Sequence, residues 1–275
     1  MIHHYRKRWV SVLRWVLLAV LVFACVFPIY FMLTTSFKYP IQTYEPSIWL
    51  FYPTAANYQS LFQNYEVAAR LLNSVIVTVG SVILALILGG LAAYGFAKYE
   101  FRGKENIAGW MLSMRFLPAM AVVIPLFLIA NTLHVLDTQA LLIVVYLTFN
   151  VPFAAWMLRG FFDEIPVELE DAAMVDGASR WQILLRIVLP LSTPGIFATA
   201  ALLVIATWNE FTLALFLATY QARTMPTVTS QFQTVRGILW GELTALGVLT
   251  TLPVLVFAIL ARKYLVRGLT FGALK

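Results

Sequence analysis

Long apolar runs alternate with short polar segments along the chain. A bilayer core of about 30 Å requires roughly 20 apolar residues in a helix. By that measure the pattern predicts six spans, approximately at residues 10–33, 71–97, 107–130, 140–158, 191–217 and 243–260. The sequence therefore predicts an all-α, polytopic membrane protein with a single transmembrane domain over residues 1–275. Because the number of spans is even, both ends of the chain are expected on one side of the membrane.

The distribution of basic residues indicates which side that is. One set of span ends carries only Lys38, Arg70, Arg223 and Arg236. The other set carries Arg6, Lys7, Arg8, Arg14, Lys98, Arg102, Lys104, Arg159, Arg180, Arg186, Arg262, Lys263, Arg267 and Lys275. Cytoplasmic loops carry the excess of Lys and Arg in membrane proteins. We therefore expect both termini and the segment 159–190 in the cytoplasm, and the segments 38–70 and 218–242 outside.

Composition excludes several other classes of protein. Hydrophobic residues make up 61% of the chain and charged residues 12%, whereas about a quarter of the residues are charged in globular domains. The net charge of +6 does not indicate nucleic-acid binding, because the basic residues are scattered between apolar runs. The single cysteine, Cys25, allows neither a disulfide framework nor a cysteine metal site. The first apolar run, residues 10–33, is too long for a signal peptide and lacks an A-x-A-like cleavage site. It is therefore predicted to be a membrane anchor that is retained.

The longest polar interruption, residues 168–195, begins with signals for a helix. Pro166 fits in a first helical turn, and Glu168, Glu170 and Asp171 follow where the helix dipole favours carboxylates. Helical spacing then predicts one face made of Leu169, Ala172, Ala173 and Asp176. The two alanines are small enough for a partner surface to approach closely.

A turn and a second helix are predicted after the first. Gly177 is the residue type that ends a helix in the left-handed conformation. Ser179, followed three positions later by Gln182, is typical of a capping box. The second helix runs through Pro190 into the fifth predicted span, so the sequence predicts a helix, a tight turn and a helix joined to a membrane span. We call residues 159–190 the elbow.

The elbow resembles a loop of a known family. The residues that carry the resemblance are Asp171, Ala172, Ala173, Asp176, Gly177, Ala178, Leu189 and Pro190. Their order resembles the EAA loop in the membrane subunits of ATP-binding-cassette importers, although Asp171 stands where the family usually has Glu. The stretches FNVPFAAWMLRGFFDEIP, WNEF and RGLTFGALK extend the resemblance to the carbohydrate-uptake branch, and specifically to the smaller, maltose-importer-type permease subunit.

The resemblance implies the fold of a type I importer transmembrane domain and a set of partners. These are a second permease in a heterodimer, two ATPase subunits, an extracytoplasmic sugar-binding protein and a carbohydrate substrate, in a bacterial inner membrane. The loop would form the coupling helix that docks on the ATPase, through Glu170, Asp171, Ala172, Ala173, Asp176, Gly177, Ala178 and Ser179. The carboxy-terminal tail would also touch the ATPase.

The two segments expected outside differ in character. Residues 218–242 are rich in hydrogen-bonding side chains. The resemblance implies that this loop reaches into the solute-binding protein through Gln221, Arg223, Thr227 and Gln231, and the alternative is a solvated connector. Residues 38–70 are predicted to lie on the membrane surface. For them a passive connector is at least as good an interpretation as a functional loop.

Motifs for catalysis are absent from the sequence. The one Gly-Lys pair, Gly103 and Lys104, lacks the first glycine of a phosphate-binding loop. Neither HExxH nor GxSxG occurs, and His3, His4 and His134 are not spaced as metal ligands. We therefore expect no catalytic residue, metal site or cofactor in this chain, with ATP and Mg²⁺ held by partner subunits.

Polar residues inside the spans are candidates for a substrate pathway, because a charge at the bilayer centre costs about 2.5–3.5 kcal/mol. Sugars are bound by hydrogen bonds combined with aromatic faces, a combination that selects Arg115, Tyr146, Asn150, Trp208, Asn209, Glu210 and Phe211. Arg115 and Glu210 are not expected to pair, because they lie about 12 Å and about 28 Å from the inner ends of their spans. Asn150 could instead satisfy the carbonyl freed by Pro152.

Small residues in the second span allow two interpretations. Gly89, Gly90, Ala92 and Ala93 favour close helix packing over a ligand site.

For the whole chain, the leading hypothesis is a permease subunit that couples ATP hydrolysis by its partners to sugar import. An integral-membrane enzyme acting on lipid-linked sugars and an ATP-independent carrier are the alternatives.

Overall fold

The computed structural model describes residues 2–235 and 237–271, and the side chains of residues 11–235 and 237–262. The side chains of the basic residues 6–8, residue Arg236 and the side chains of the tail 267–275 lie outside the described residues. The ATPase contact predicted for that tail lies outside them too.

Helices account for most of the described chain. They are α1 (Ile2–Ser36), α2 (Ala56–Asn64), α3 (Val67–Lys98), α4 (Lys104–Ser113), α5 (Ala119–Thr132), α6 (Gln139–Asp163), α7 (Val167–Val175), α8 (Arg180–Ile183), α9 (Leu189–Leu191), α10 (Thr193–Trp208), α11 (Thr212–Leu217), α12 (Met225–Val228) and α13 (Trp240–Phe271). Short 3₁₀ turns cover Pro40–Tyr44, Met114–Phe116 and Thr229–Phe232, and a π-turn covers Leu184–Val188. A two-stranded hairpin pairs β1 (Gln233–Thr234) with β2 (Gly237–Ile238). The prediction of an all-α protein is confirmed.

Within the described residues, four helices are long and apolar enough to cross a membrane: Ser11–Ser36, Val67–Lys98, Gln139–Asp163 and Trp240–Arg262. Two further candidates are bent pairs of helices. Lys104–Phe116 meets Ala119–Thr132 at 92°, and Arg180–Leu191 meets Thr193–Trp208 at 75°. The described part of the chain therefore has up to six candidate spans if each bent pair counts as one.

The first bend differs from the continuous span predicted over residues 107–130. Leu117 and Pro118 have extended backbones, with ψ of 121° and 130°. Proline disfavours the helical conformation in the residue before it, because its ring crowds that residue's N–H and Cβ. Hydropathy alone does not report this interruption, since Leu117 and Pro118 are both tolerated in an apolar run.

The second bend lies between the elbow and α10. α8, the π-turn and α9 form one helical segment up to Leu191, and Ser192 at the bend is buried. Pro190 has no N–H to give to the carbonyl four residues earlier, and the π-turn ends two residues before it, at Val188. Three residues, 209–211, then separate α10 from α11. The fifth predicted span, 191–217, is therefore two helices rather than one.

Within the described residues, 67–228 and 252–271 form one compact unit, centred on α3 and α6. A Cβ placed on Gly89 would lie 2.5 Å from the Cβ of Ala154 and 3.0 Å from the amide nitrogen of Ala155. Only glycine lets the two helices approach so closely, which confirms the packing interpretation of this position. Around that contact, one buried cluster includes Leu142, Tyr146 and Leu217, and another includes Phe162, Ile183, Leu184 and Val188.

Residues 1–66 and 229–251 form the other unit. The segment after α1 is held by Asn57 of α2. The Asn57 side-chain amide donates to the carbonyls of Ser36 at 2.9 Å and Lys38 at 2.8 Å. A Cβ on Gly241 would collide with the same Asn57 side chain, and one on Gly247 would lie 2.7 Å from the sulfur of Met32. The segment predicted as a surface loop is thus ordered by α2 and by the start of α13.

Candidate functional site

The elbow contains the predicted helix, turn and helix. α7 ends at Val175, and Gly177 follows with φ of +86°. The N–H of Ala178 donates to the carbonyl of Ala173 at 2.9 Å, and that of Gly177 donates to Met174 at 3.0 Å. These two bonds form a Schellman motif, which satisfies carbonyls left open at a helix end. Pro166 lies at the amino-terminal cap, immediately before the first turn in which it was predicted.

The second helix of the elbow is capped as predicted. The N–H of Ser179 donates to Oε1 of Gln182 at 2.7 Å, and the N–H of Gln182 donates to Oγ of Ser179 at 3.4 Å. The capping box and the Schellman motif are only two residues apart, so the turn between the helices has little freedom. The angle between α7 and α8 is consequently set by local sequence.

The residues predicted to contact an ATPase divide into three groups by exposure. Five are exposed: Asp171, Ala172, Asp176, Gly177 and Ser179. Ala173 and Ala178 are half-buried and pack against the cluster of Phe162, Ile183 and Leu184. The two neighbouring alanines therefore face different directions. Ala172 is available to a partner surface, as predicted, but Ala173 faces the interior of its own chain.

Glu170 departs most from the prediction. Its side chain is buried, with the residue only 2% exposed, and its Oε1 lies 2.9 Å from Nζ of Lys98 at the end of α3. The hydroxyl of Tyr94 donates to Oε2 at 3.4 Å. Glu170 therefore faces the inside of its own chain. Removing one partner of such a buried pair costs about 3–5 kcal/mol, because the other charge is left uncompensated.

Lys98 also secures the entry to α7. Its Nζ donates to the carbonyl of Ile165 at 3.0 Å, two residues before α7 begins. Nearby, the guanidinium of Arg180 lies 5.6 Å from the ring centre of Tyr99. A groove of about 260 Å³ lies between the end of α3 and α8. It is lined by Leu91, Tyr94, Gly95, Tyr99, Arg180, Trp181 and Leu184. The contacts of Lys98 and Tyr94 were not predicted from sequence, where Lys98 served only to orient the chain and Tyr94 lay inside the second predicted span, 71–97.

The predicted substrate-pathway residues do not form one cluster. Arg115 lies at the first bend with its guanidinium 3.8 Å from the ring centre of Phe153, a cation–π contact. Glu210 accepts a hydrogen bond from the hydroxyl of Tyr146 at 2.7 Å, and further bonds from the N–H groups of Leu213 and Ala214. The two charges therefore do not pair with each other, as the depth argument predicted.

The remaining pathway candidates are mostly occupied within the chain. Asn150 is 1% exposed and donates to Oγ1 of Thr207 on α10 at 2.9 Å, rather than to the backbone carbonyl freed by Pro152. Trp208 and Tyr146 are buried as well. Asn209 is exposed but donates to the carbonyl of Ile205 at 2.8 Å, which caps α10. Phe211 is 36% exposed. A substrate contact at these positions stays a prediction.

The 218–242 loop is anchored at its start by a carboxylate that sequence analysis did not single out. Asp137 has φ of +58° and accepts hydrogen bonds from the N–H groups of Tyr220, Gln221 and Ala222 at 3.0, 2.7 and 3.1 Å. Three successive backbone donors converging on one carboxylate fix the conformation of this part of the loop. A sequence signal existed in the Asp-Thr pair at the start of α6, where turn residues are expected.

The same part of the loop is held by the amino-terminal end of α3. Arg70 donates to the carbonyl of Tyr220 at 2.5 Å, and Asn73 donates to the carbonyls of Gln221 at 2.7 Å and Arg223 at 2.9 Å. Asn73 in turn accepts from Gln139 at 2.6 Å. Burial lowers the pKa of the Arg223 guanidinium, nearby Arg70 lowers it further, and Asp137 opposes both.

Residues 220–223, at the start of the loop, and the elbow therefore lie at opposite ends of α3. At 1.5 Å per residue, the helix between Arg70 and Lys98 is about 42 Å long. That length exceeds the roughly 30 Å of a hydrocarbon core. The separation supports the expectation that the elbow and the loop lie on different sides of a membrane.

The four loop residues predicted to reach a binding protein differ in accessibility. The side chains of Gln221 and Gln231 are exposed, and Arg223 is half-buried and donates to the carbonyl of Thr219. Thr227 is wholly buried and donates to the carbonyl of Thr224 at 2.7 Å. In this conformation Thr227 cannot touch another protein, because its hydroxyl is enclosed by its own chain.

We expect Asp137→Ala to release the start of the loop. The substitution leaves three backbone donors without their acceptor, at about 1–3 kcal/mol, and places alanine at a positive φ. Hydrogen exchange of the amides of residues 220–222 should accelerate by about tenfold or more, since 1.36 kcal/mol corresponds to a factor of ten. Asp137→Asn keeps one acceptor and should give an intermediate rate.

Asp163→Ala is the matched control for this experiment. It removes a carboxylate whose ion pair with Arg159 is 3.5 Å long and exposed. Unchanged exchange at residues 220–222 in Asp137→Ala would show that the carboxylate does not hold the loop.

Comparison with known proteins places the chain in a family. Residues 81–271 match the family described as "Binding-protein-dependent transport system inner membrane component". The chain is 38% identical to the probable ABC transporter permease protein y4oR of Sinorhizobium fredii, over 96% of this chain and 95% of that protein. It is 35% identical to the trehalose/maltose transport system permease protein MalG of Thermococcus litoralis, over 98% and 97%.

Among solved structures, a chain in the crystal structure of a bacterial ABC transporter involved in the import of the acidic polysaccharide alginate has the same fold. The TM-score is 0.77 at 22% identity, and the match covers 94% of this chain and 97% of that chain. The predicted fold of a type I importer transmembrane domain is therefore confirmed.

Proposed function

Because the chain belongs to the family of inner membrane components of binding-protein-dependent transport systems, we propose that it is the permease subunit of a sugar importer. A relative that aligns over almost the whole chain is named for trehalose and maltose transport, which supports a mono- or disaccharide or a derivative as the substrate. The chain spans a bacterial cytoplasmic membrane several times, with both termini and the elbow in the cytoplasm.

The observation that carries the proposal is the construction of the elbow. Its turn is fixed by two capping motifs, its small and acidic residues Asp171, Ala172 and Asp176 are exposed, and Glu170 ties it to α3. An exposed, rigid protrusion that is joined to membrane helices can transmit a push from a bound partner. In the proposed assembly, two ATPase subunits bind ATP and Mg²⁺ and receive elbows from this chain and from a second permease.

On the opposite side, the 218–242 loop meets the sugar-binding protein. The contacts at the start of the loop are exposed Gln221 and half-buried Arg223, and Gln231 is a separate exposed contact further along the chain, while Thr227 supports the loop from inside. Closure of the ATPases displaces the elbow. This displacement switches the substrate pathway between the membrane helices from opening inward to opening outward. Sugar released by the binding protein then enters along Arg115, Asn209 and Phe211, the candidate pathway residues that are exposed.

Reconstitution tests the proposal. The complex would be purified from its own membrane through a tag on this chain and placed in liposomes with the binding protein. Uptake of labelled mono- and disaccharides should require both ATP and the binding protein. Flux without ATP would indicate a carrier, and turnover of lipid-linked sugars by the chain alone would indicate an enzyme.

A further inference from the structure

The elbow is covalently continuous with α6 at its start and, through α8, the π-turn and α9, with α10 at its end. α7 is joined to α3 by contacts between side chains. Ala173 packs against an apolar cluster that includes Tyr94 of α3. The buried contact of Glu170 with Lys98 at the end of α3 adds a polar link, through which a displacement of α7 can act on α3.

The contact is built as a rigid one. Both charged side chains are nearly inaccessible, at 6% exposure for Lys98 and 3% for Glu170, and their charged atoms are 2.9 Å apart. Tyr94 binds the second carboxylate oxygen at 3.4 Å, and Lys98 also binds the carbonyl of Ile165 at 3.0 Å. Charged groups in such surroundings have little freedom to exchange partners, because water does not reach them to replace a lost bond.

α3 is also the helix through which a movement would spread furthest. It packs against α6 at the Gly89 contact, where no side chain separates the helices. Its other end holds residues 220–223, at the start of the 218–242 loop, through Arg70 and Asn73. A shift of Lys98 therefore reaches α6 and the loop without passing through α10.

We propose that Lys98 and Glu170 are positioning residues, which lock α7 to α3 so that a displaced elbow moves the α3–α6 pair together with α10. This inference rests on the proposed function and adds a second route for the movement. Neither residue contacts the ATPase or the sugar.

The main experiment compares ATP hydrolysis with sugar uptake in the reconstituted complex. The variants are Lys98→Gln, Glu170→Gln, and the double exchange Lys98→Glu with Glu170→Lys. We expect each single variant to raise the ATP hydrolysed per sugar imported by about fivefold or more, the lower range of an allosteric coupling. The double exchange restores the pair with reversed charges and should recover much of the lost coupling.

The matched control, Glu100→Gln, removes a carboxylate from an ion pair outside the elbow. This is the exposed pair of Glu100 with Lys104 at 2.8 Å, and exposed pairs contribute little. If the single variants leave the ratio of ATP to sugar unchanged, or lower both rates only in proportion to the amount of assembled complex, the inference is wrong. If the unmodified complex shows no ATP-driven uptake, it is the proposed function that fails.

A measurement of the distance between α3 and α7 tests the inference even where the variants assemble poorly. Spin labels would be attached to Leu88→Cys on α3 and Val175→Cys on α7, both exposed positions, in a Cys25→Ser background. In the otherwise unmodified complex, we expect one narrow distance distribution that is the same with and without nucleotide. With Glu170→Gln the distribution should broaden. A distance that changes with nucleotide in the unmodified complex would show that α7 is not locked to α3.

Discussion

Ala172→Glu is expected to lower sugar uptake by about tenfold or more while ATP hydrolysis continues and the complex still assembles. Ala172 is exposed on α7, beside Asp171 and four residues before Asp176. A glutamate there places an unpaired charge in the proposed ATPase contact. Every 1.4 kcal/mol lost at the contact weakens it tenfold. Uptake, hydrolysis and the amount of assembled complex would be measured on the same reconstituted samples.

Ala172 is a better choice than its neighbour for this test. Ala173 packs against the cluster around Phe162, so a glutamate there would disturb folding as well as contact. Asn106→Glu adds the same charge at an exposed position on α4 and should leave uptake unchanged. Ala172→Ser, which adds one hydroxyl, should have a small effect. Normal uptake by Ala172→Glu would exclude this face of α7 from coupling.

Gly89→Ala is expected to destabilise the protein by about 1–3 kcal/mol, the usual range for forcing extra carbon into a packed contact. The new Cβ would meet the Cβ of Ala154 at 2.5 Å and the backbone of Val151 and Ala155 at 3.0 Å. Backbone cannot move aside as a flexible side chain can, so α3 and α6 must separate. The midpoint of thermal unfolding in detergent should fall by several degrees.

Gly95→Ala in the same helix provides the control. A Cβ at Gly95 meets nothing within 4 Å, and exchanging glycine for alanine inside a helix is favourable by about 0.4–1 kcal/mol. We therefore expect the two substitutions to shift the unfolding midpoint in opposite directions. Equal stability of the two variants would mean that α3 and α6 do not pack as closely as the structure has them.

Local signals predicted the elbow well because each of them acts within a few residues. Gly177, Ser179 and Gln182 form the predicted turn and cap without help from the rest of the chain. Leu117 and Pro118 carried an equally local signal for a break, but a criterion based only on hydropathy and length passes over it. The continuous third span was predicted for that reason.

Contacts between distant residues could not be predicted in the same way. A helix turns by about 100° per residue, so Glu170 and Asp171 point in different directions. Which of them faces inward is decided by Lys98, 72 positions from Glu170 in the chain. Asn150 likewise finds Thr207, and Asp137 finds the backbone of residues 220–222. One sequence offers no signal that joins such pairs.

The first helix has a practical consequence for work on this protein. None of the apolar stretch within Ser11–Ser36 is buried by the described part of the chain, and a helix satisfies its own backbone hydrogen bonds. Residues 11–26 of that helix are exposed, whereas Phe27 and Phe31 contact Trp49 and Met32 lies against Gly247. Within the described chain, hydropathy and length are therefore the demands on residues 11–26 alone. That part can be exchanged for an unrelated apolar sequence that carries a fluorescent reporter or a purification handle, with the contacts of Phe27, Phe31 and Met32 left as they are.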